Sequence, residues 1–199
     1  MNKRHLAVLA LLLIALIAVV IGVERWLKPQ IASERQAAAE RALLDLLAPG
    51  SYDNHPLTAP IALPDSEKLG LPTPAFAYLA TRSNSPSAVL LPVRGTGYEG
   101  SIDLLLAVSP AGQLLSVKVL SEHETPGLGD ISSAAKSPWL RGFFGHSVSD
   151  TDWRMKADGG QFDQMAGATV TSRAVSQAVQ QGLSYFDAHK PLLLKQEAP

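Results

Sequence analysis

The chain is organised around the sequence DQMAGATVTS at residues 163–172, which combines an acid, a glycine and three hydroxyl side chains. The apolar residues that follow, at residues 173–186, recur every three or four positions, and this spacing predicts a helix. The first turn of a helix leaves backbone N–H groups without partners and carries partial positive charge. Such a helix start can bind a phosphate, although Thr171 or Ser172 acting as a simple helix cap explains the same residues.

Upstream of this stretch, the sequence changes to short runs rich in valine, leucine and isoleucine that are separated by turn residues. They predict four strands, at residues 75–81, 88–94, 101–108 and 114–120. The turn residues at 109–112 favour a tight hairpin, so we expect an antiparallel sheet. We also expect short helices within residues 131–148 and a last strand at residues 152–156. With helices flanking the sheet, the fold class is α+β.

The N-terminal part of the chain has a different character. Residues 6–23 form an uninterrupted run of 18 apolar or glycine residues, with Lys3 and Arg4 ahead of it. At about 1.5 Å of rise per residue the run reaches roughly 27 Å, close to the thickness of a hydrocarbon core of ~30 Å. We therefore expect an uncleaved transmembrane anchor, with residues 1–5 in the cytoplasm and the remaining domain outside.

Between the anchor and the sheet, residues 24–74 have two parts. The pattern of residues 24–48 predicts a helix, which Pro49 and Gly50 end, and the proline-rich residues 51–74 predict an extended connector on the surface. The main domain then covers residues 75–190. We expect residues 191–199, with the preceding Lys190, to form a frayed tail.

Composition and motif context exclude several classes of protein. The formal net charge is −1, which argues against nucleic-acid binding, and the absence of cysteine excludes disulfides, thiolate-held iron–sulfur clusters and cysteine-ligated zinc. GTGYEG at residues 95–100 matches the dinucleotide fingerprint, but a predicted strand follows it instead of a helix, so we interpret it as a turn. His123 has no second histidine one helical turn away, so no metal site is predicted.

Three motifs carry a resemblance to a known family. DQMAGAT at residues 163–169 resembles the D-x-x-(S/T)-G-A-T motif of flavoprotein subunits that carry FMN on a threonine, with Ala166 at the usual Ser/Thr position. ETPGLG at residues 124–129 is similar to a loop that lies against the flavin ring in that family, and the turn at residues 97–100 recurs there. Together they resemble the G subunits of the Rnf (Rsx) ion-translocating electron-transport complexes, which are relatives of the C subunits of the sodium-pumping NADH:quinone reductases.

This resemblance implies a cofactor and partners. A separate flavin transferase would join FMN to the Thr169 hydroxyl as a phosphoester, and the flavin would relay electrons among the membrane subunits of an ion-translocating complex. The domain would lie on the periplasmic side of a bacterial inner membrane. We find no residues arranged to oxidise a substrate, so the chain is expected to act as an electron carrier without turnover of its own.

The resemblance also assigns roles to individual residues around Thr169. Leu128 and Val170 are expected to form an apolar shelf for the ring. The other expected contacts are Glu124, Thr125 and Thr171 as hydrogen-bond partners of the ring or ribityl chain, Lys156 facing the phosphate or the reduced ring, and Gly167 and Ala168 within the motif. Asp163 is either recognised by the transferase or caps a turn.

Three alternatives to this function stay open at the level of sequence. The first is a periplasmic FMN-domain sensor or regulatory module outside any pump. The second is a carrier like the C subunit of the sodium-translocating NADH:quinone reductase. The third is a structural subunit whose motif stays unmodified, which Ala166 keeps open.

Overall fold

The computed structural model describes residue 40, residues 43–132 and residues 137–195. The expected anchor at residues 6–23 and most of the helix expected at residues 24–48 lie outside these residues. Within the described part of the chain, no helix is both long enough and apolar enough to cross a bilayer. The chain divides into the units Met1–Asp45 and Leu46–Pro199, and the elements described below belong to the second.

Five strands form one antiparallel sheet in which every strand pairs with its neighbours in sequence. They are β1 (Pro60–Ala62), β2 (Phe76–Arg82), β3 (Ser85–Thr96), β4 (Ser101–Val108) and β5 (Leu114–Ser121). The four predicted antiparallel strands are thus confirmed as β2 to β5. In the central pair Val93 lies opposite Leu104, and both side chains are buried. Residues 97–100 form a turn between β3 and β4, which confirms our interpretation of this stretch as a turn between strands, although Gly95 and Thr96 still belong to β3.

The proline-rich segment at residues 51–74 was predicted as a surface connector, and this prediction is wrong in part. It contains β1 and two short 3-10 helices, Pro56–Thr58 and Ser66–Leu69, and it buries Leu63 and Leu69 in the core. A strand of three residues is too short to show alternation. Its first residue is Pro60, which an edge strand tolerates at that position.

The last strand predicted at residues 152–156 is absent from the described structure. Met155 forms only an isolated bridge to Phe162, and residues Lys156–Asp158 form a 3-10 helix. The apolar residues that suggested a strand, Trp153 and Met155, are instead buried in the core. Burial of two alternate side chains imitates a strand pattern without any ladder of hydrogen bonds.

Among the described residues, two α-helices complete the domain. The first is α1 (Ser137–Leu140), continued by a 3-10 helix at Arg141–Phe143, as predicted within residues 131–148. The second is the 25-residue α2 (Thr169–Leu193). It begins four positions before the predicted start at Arg173 and continues to Leu193, which is fully buried, beyond the Lys190 where we expected a tail.

The long helix lies very close to the sheet at two glycines. A Cβ atom on Gly182 would be 2.5 Å from Cδ1 of Leu106 and 2.8 Å from Cγ1 of Val93. A Cβ atom on Gly95 would be 2.9 Å from the carbonyl oxygen of Ala174. We call Gly95 and Gly182 the glycine seam. Because any side chain here would push α2 away from β3 and β4, the seam fixes how closely α2 lies against these strands.

An aromatic cluster holds the segment that leads into α2. The ring centroid of Phe162 is 4.6 Å from that of Phe143 and 5.1 Å from that of Trp153. All three rings are buried, so they belong to the core. The indole N–H of Trp139 donates to the Asp163 carbonyl oxygen at 2.6 Å. The stretch at residues 163–172 therefore begins from a fixed point.

Candidate functional site

Three separate parts of the chain meet around one cleft of about 410 Å³. They are the turn at residues 97–100, the loop at residues 122–130 and the start of α2. Because β3 and β5 run in the same direction, the turn after β3 and the loop after β5 emerge at the same edge of the sheet. The cleft is lined by Tyr98, Glu124, Thr125, Leu128, Gly129, Gly167, Ala168, Thr169, Val170 and Thr171. Its volume is typical of a small-molecule site.

The buried carboxylate of Glu124 joins these three parts. Glu124 is only 5% exposed. It accepts hydrogen bonds from the backbone N–H groups of Tyr98, at 3.2 Å, and Glu99, at 3.1 Å. The hydroxyl of Thr171 donates to it from the helix. The Glu124 side chain, which lies in the loop at residues 122–130, therefore holds both the turn at residues 97–100 and the start of α2.

Two glycines make room for this carboxylate. A Cβ atom on Gly97 would lie 2.2 Å from Oε1 of Glu124. A Cβ atom on Gly129 would lie 3.0 Å from the hydroxyl oxygen of Thr171 and 3.1 Å from Cβ of Glu124. Any larger residue at either position would displace Glu124 or Thr171. Gly97 in the turn and Gly129 in the loop are thus explained by close packing around one acid.

The helix start that faces the cleft has no side-chain cap. Thr169 is the first residue of α2, and the preceding Ala168 offers no acceptor from its side chain. The first backbone bond of the helix joins Ser172 N–H to the Ala168 carbonyl at 2.9 Å, so the N–H groups of residues 169–171 lack acceptors within the helix. Unbonded N–H groups together with the helix dipole favour an anion at this end.

Neither hydroxyl that we considered as a helix cap occupies the cap position, so that interpretation is wrong. Ser172 lies inside the first turn, where its hydroxyl donates to the Ala168 carbonyl at 2.8 Å and accepts from Met165 N–H at 2.9 Å. Thr171 is also inside the helix and is engaged with Glu124. Thr169 differs from both because it is half-buried, lines the cleft and has no hydroxyl partner in the described part of the chain.

Apolar side chains surround the opening of the cleft. Leu128 is 45% exposed, Val170 is 48% exposed and Tyr98 is 74% exposed, which is unusual for large apolar residues that lie together. Gly167 lies against this group with φ of +79°, and a Cβ atom there would be 2.8 Å from Cδ2 of Leu128. The two predicted shelf residues are thus brought to the same opening.

Two predicted site residues, Lys156 and Asp163, do not line the cleft. The Lys156 ammonium pairs with the Asp163 carboxylate at 2.7 Å, and both side chains are exposed. On the same side of the domain, Arg173 forms a two-point pair with Asp158, at 2.8 and 2.7 Å. Hydrogen bonding by Arg173 lowers the pKa of the Asp158 carboxyl below its ordinary value.

The charge of the cleft follows from this arrangement. Among the described residues that line it, Glu124 is the one with a charged side chain, and it is an acid. No group of three or more potential metal ligands is found in the part of the chain that the structure describes. The cleft therefore offers backbone N–H groups, hydroxyls and apolar surface.

Tyr98 and Gly129 line the cleft although sequence reasoning did not assign them to the site. Both lie within motifs that we had recognised. For Tyr98 a signal was available, since an aromatic residue between turn glycines cannot pack beneath its own turn and must point toward a neighbour or solvent. For Gly129, its place in the motif at residues 124–129 is the one sequence signal that could have assigned it to the site.

Comparison with known proteins gives a consistent result. Residues 97–184 match the family model described as FMN-binding domain. A Pseudomonas aeruginosa (strain UCBPP-PA14) protein, named as the G subunit of an ion-translocating oxidoreductase complex, is 46% identical over 200 residues, covering 98% of this chain and 92% of the relative. A Shewanella loihica protein of the same name is 37% identical over 201 residues, covering 99% and 93%.

A solved structure shows a related fold. The crystal structure of Shewanella oneidensis NqrC matches with a TM-score of 0.50 at 23% identity, covering 67% of this chain and 69% of that chain. At this identity the likeness speaks for the fold alone. It agrees with the antiparallel sheet and long C-terminal helix described above.

Proposed function

The chain belongs to the family of G subunits of ion-translocating oxidoreductase complexes, and from this we propose that it carries FMN and relays electrons within such a complex. The observation that carries the proposal is the meeting of three motifs at one cleft whose floor is an uncapped helix start. The sequence has no cysteine, so thiol chemistry cannot serve this role. Bound FMN would supply the redox chemistry.

The chemistry of the cleft fits FMN. The free N–H groups of residues 169–171 suit a phosphate, whose negative charge the helix dipole also favours. Leu128, Val170 and Tyr98 offer apolar surface for the ring at the opening. The Thr125 hydroxyl lines the cleft and donates its hydrogen to the Glu99 side chain, so toward the ribityl chain it would act as an acceptor. Gly167 and Ala168 carry no side chain large enough to block the path between phosphate and ring.

We further propose that the FMN is covalent and that Thr169 is the acceptor. Thr169 is half-buried and its hydroxyl is unpartnered among the described residues, whereas the hydroxyls of Thr171 and Ser172 are buried and bonded. A flavin transferase would use a flavin nucleotide whose phosphate carries a leaving group. The phosphorus–leaving-group bond breaks, the Oγ1–phosphorus bond of Thr169 forms, and the hydroxyl proton passes to a base on the transferase, since an unaided alcohol is a weak nucleophile.

The two residues outside the cleft have roles in keeping with their exposure. We propose that the transferase recognises Asp163, whose side chain is 73% exposed beside the acceptor loop. Lys156 would hold Asp163 in place through their ion pair and reach the phosphate only if that pair opens. A direct contact of Lys156 with the phosphate or the reduced ring stays a prediction.

The setting of the carrier is proposed from sequence and from the relatives' names. The relatives are named as subunits of a complex, so the partners of this chain would be the other subunits. The apolar run at residues 6–23 would anchor the chain in a bacterial inner membrane, with the flavin domain on the periplasmic side. An exposed ring at the cleft opening suits transfer to partner proteins.

In-gel flavin fluorescence tests the attachment directly. The full chain from its native host, denatured and run under ultraviolet light, is expected to give a fluorescent band. Thr169→Ala should abolish the band, whereas Thr171→Ala, the matched control, should keep it at reduced intensity. A band that survives Thr169→Ala and disappears in Thr171→Ala would move the acceptor to residue 171. Absence of a band from the native protein would refute covalent attachment.

Isolation of membrane partners tests the relay function. Purification of the full chain from detergent-solubilised membranes is expected to recover other subunits of an ion-translocating oxidoreductase, with electrons reaching the flavin from them. Recovery of a signalling protein alone would favour the sensor alternative.

A further inference from the structure

The charged side chain in the cleft is an acid, whereas a carrier of the anionic cofactor FMN would be expected to have a basic one there. The cationic side chain expected at the site, Lys156, is paired with Asp163 outside the lining. Among the described lining residues the one charged side chain is the carboxylate of Glu124. Its three bonds are all accepted, from two backbone N–H groups and one hydroxyl, which is the pattern of an ionised carboxylate.

We propose that Glu124 is a positioning residue that also sets the redox potential of the site. It holds the turn at residues 97–100 and the hydroxyl of Thr171 in fixed positions, and its negative charge makes the bound flavin harder to reduce. The inference rests on the proposed function and deepens it, because it assigns to this chain a control over the direction in which electrons move.

The positioning part follows from what surrounds the carboxylate. Gly97 and Gly129 are packed so tightly against Glu124 and Thr171 that no side chain fits between them. The N–H groups of Tyr98 and Glu99 point at the carboxylate oxygens, and the next residue of the loop, Thr125, has its hydroxyl bonded to the Glu99 side chain. Loss of the carboxylate would therefore release the turn that carries Tyr98.

The electrostatic part follows from burial. Glu124 is 5% exposed, so its charge is screened less by water than a surface charge would be. Reduction adds negative charge to the ring, and a nearby negative charge opposes that addition. The three hydrogen-bond donors offset part of the negative charge of the carboxylate. Removing one of them should therefore make the flavin harder still to reduce. Lys156 cannot compensate it from the Asp163 pair, which lies outside the cleft lining.

Four variants separate the effect of the Glu124 charge from the effect of the hydrogen bonds that Glu124 makes. Glu124→Gln removes the charge and replaces one acceptor oxygen by an NH₂ group that faces a donor. Glu124→Asp keeps the charge on a shorter side chain that cannot reach all three donors. Thr171→Val keeps the charge and removes one donor. Glu67→Gln, at an exposed glutamate in the 3-10 helix Ser66–Leu69, is the matched charge control.

The experiment uses the full chain with its flavin attached, purified from the native host, and measures the midpoint potential at alkaline pH, where the reduced ring keeps a negative charge. Glu124→Gln is expected to favour reduction roughly tenfold, which is about 30 mV for a two-electron couple. Glu124→Asp and Glu67→Gln should stay within about twofold of the native equilibrium constant. Thr171→Val should move the equilibrium the opposite way by about twofold to threefold.

Amide hydrogen exchange on the same samples tests positioning. The amides of Tyr98 and Glu99 should exchange at least about tenfold faster in Glu124→Gln and Glu124→Asp, and at the native rate in Glu67→Gln. Unchanged exchange in both Glu124 variants would overturn the positioning role.

Equal potential shifts in Glu124→Gln and Glu124→Asp would overturn the charge assignment, because they would report altered structure alone. If Glu124→Gln accepts no flavin, the midpoint potential of Thr171→Val decides whether the Glu124 charge acts on the flavin. A potential that is unchanged, or shifted toward easier reduction, would then overturn the charge assignment. If the native protein itself carries no flavin, the proposed function fails, whereas the exchange data still decide the positioning role.

Discussion

The sheet–helix core and the cleft share α2, yet they are built from different kinds of residue. In the core, side chains such as Val93, Leu104 and Phe186 are apolar and almost completely buried. At the cleft, glycines, hydroxyls and one acid meet at short distances, and the large apolar side chains are exposed. The comparison teaches that the residues that stabilise the domain and the residues that form the site lie at different ends of one element, α2. One end of α2 stabilises the domain, and the other end presents the site.

The largest effect on stability should come from emptying the core. Phe186→Ala removes a fully buried ring from α2, and we expect the free energy of unfolding to fall by about 3–5 kcal/mol. Because the helix start is far along α2 from this position, the molecules that remain folded should still carry flavin. Chemical denaturation combined with flavin fluorescence per folded molecule measures both quantities.

A control on the same helix sharpens this result. Leu192→Ala removes a side chain that is substantially exposed, and its effect should stay within about 0.5 kcal/mol. If Phe186→Ala lost flavin while the domain remained folded, core and cleft would be coupled and the separation would not hold.

An intermediate effect is expected from two glycines with the same backbone conformation. Gly127 has φ of +80° and Gly167 has φ of +79°, so alanine at either should cost about 1–2 kcal/mol of stability. A Cβ atom on Gly127 meets nothing within 4 Å, whereas one on Gly167 collides with Leu128. Only Gly167→Ala should slow flavin attachment, by at least about tenfold, because it displaces a wall of the cleft.

Thermal unfolding and the initial rate of flavin labelling by the transferase distinguish the two glycine variants. Equal labelling rates would mean that the contact between Gly167 and Leu128 does not matter for attachment. Equal losses of stability are part of the expectation, since both substitutions impose the same left-handed strain.

The smallest effect on stability is expected at the cleft opening. Tyr98→Ala changes an exposed residue, so the free energy of unfolding should change by less than about 0.5 kcal/mol. The attached ring should nevertheless become more accessible to iodide, a collisional quencher of flavin fluorescence, because one apolar side of the opening is lost. Tyr98→Phe keeps the aromatic ring and should match the native protein. Unchanged iodide quenching in Tyr98→Ala would remove Tyr98 from the site.

Much of the fold could be predicted because its signals are local. Short runs rich in valine, leucine and isoleucine, separated by turn residues, indicated β2 to β5, and the spacing of apolar residues after Arg173 indicated α2. The start of α2 was missed because Ala168 gives no capping signal. β1 was missed because three residues carry no period, and a false strand was predicted around Trp153 because tertiary burial, which local sequence does not show, produced the same pattern.

The candidate site was predictable only in part. The three motifs supplied the residues of the site, and their resemblance to one family indicated that they belong to one site. The distances between the motifs in the folded chain are set by long-range packing. The burial of Glu124 and its hydrogen bond to Thr171 depend on where α2 lies against the sheet. The sequence offers no signal for such contacts between residues 25 to 47 positions apart, such as those of Glu124.

The glycine seam bears on any attempt to transplant this site into another protein. Copying the three loops onto a new scaffold would reproduce the chemistry of the cleft without the spacing that Gly95 and Gly182 impose on helix and sheet. In a host whose helix lies farther from the sheet by even the size of a methyl group, Thr169 would move away from Glu124 and the loop at residues 122–130. The smallest portable unit is therefore the pair of central strands together with the whole helix, with both glycines kept.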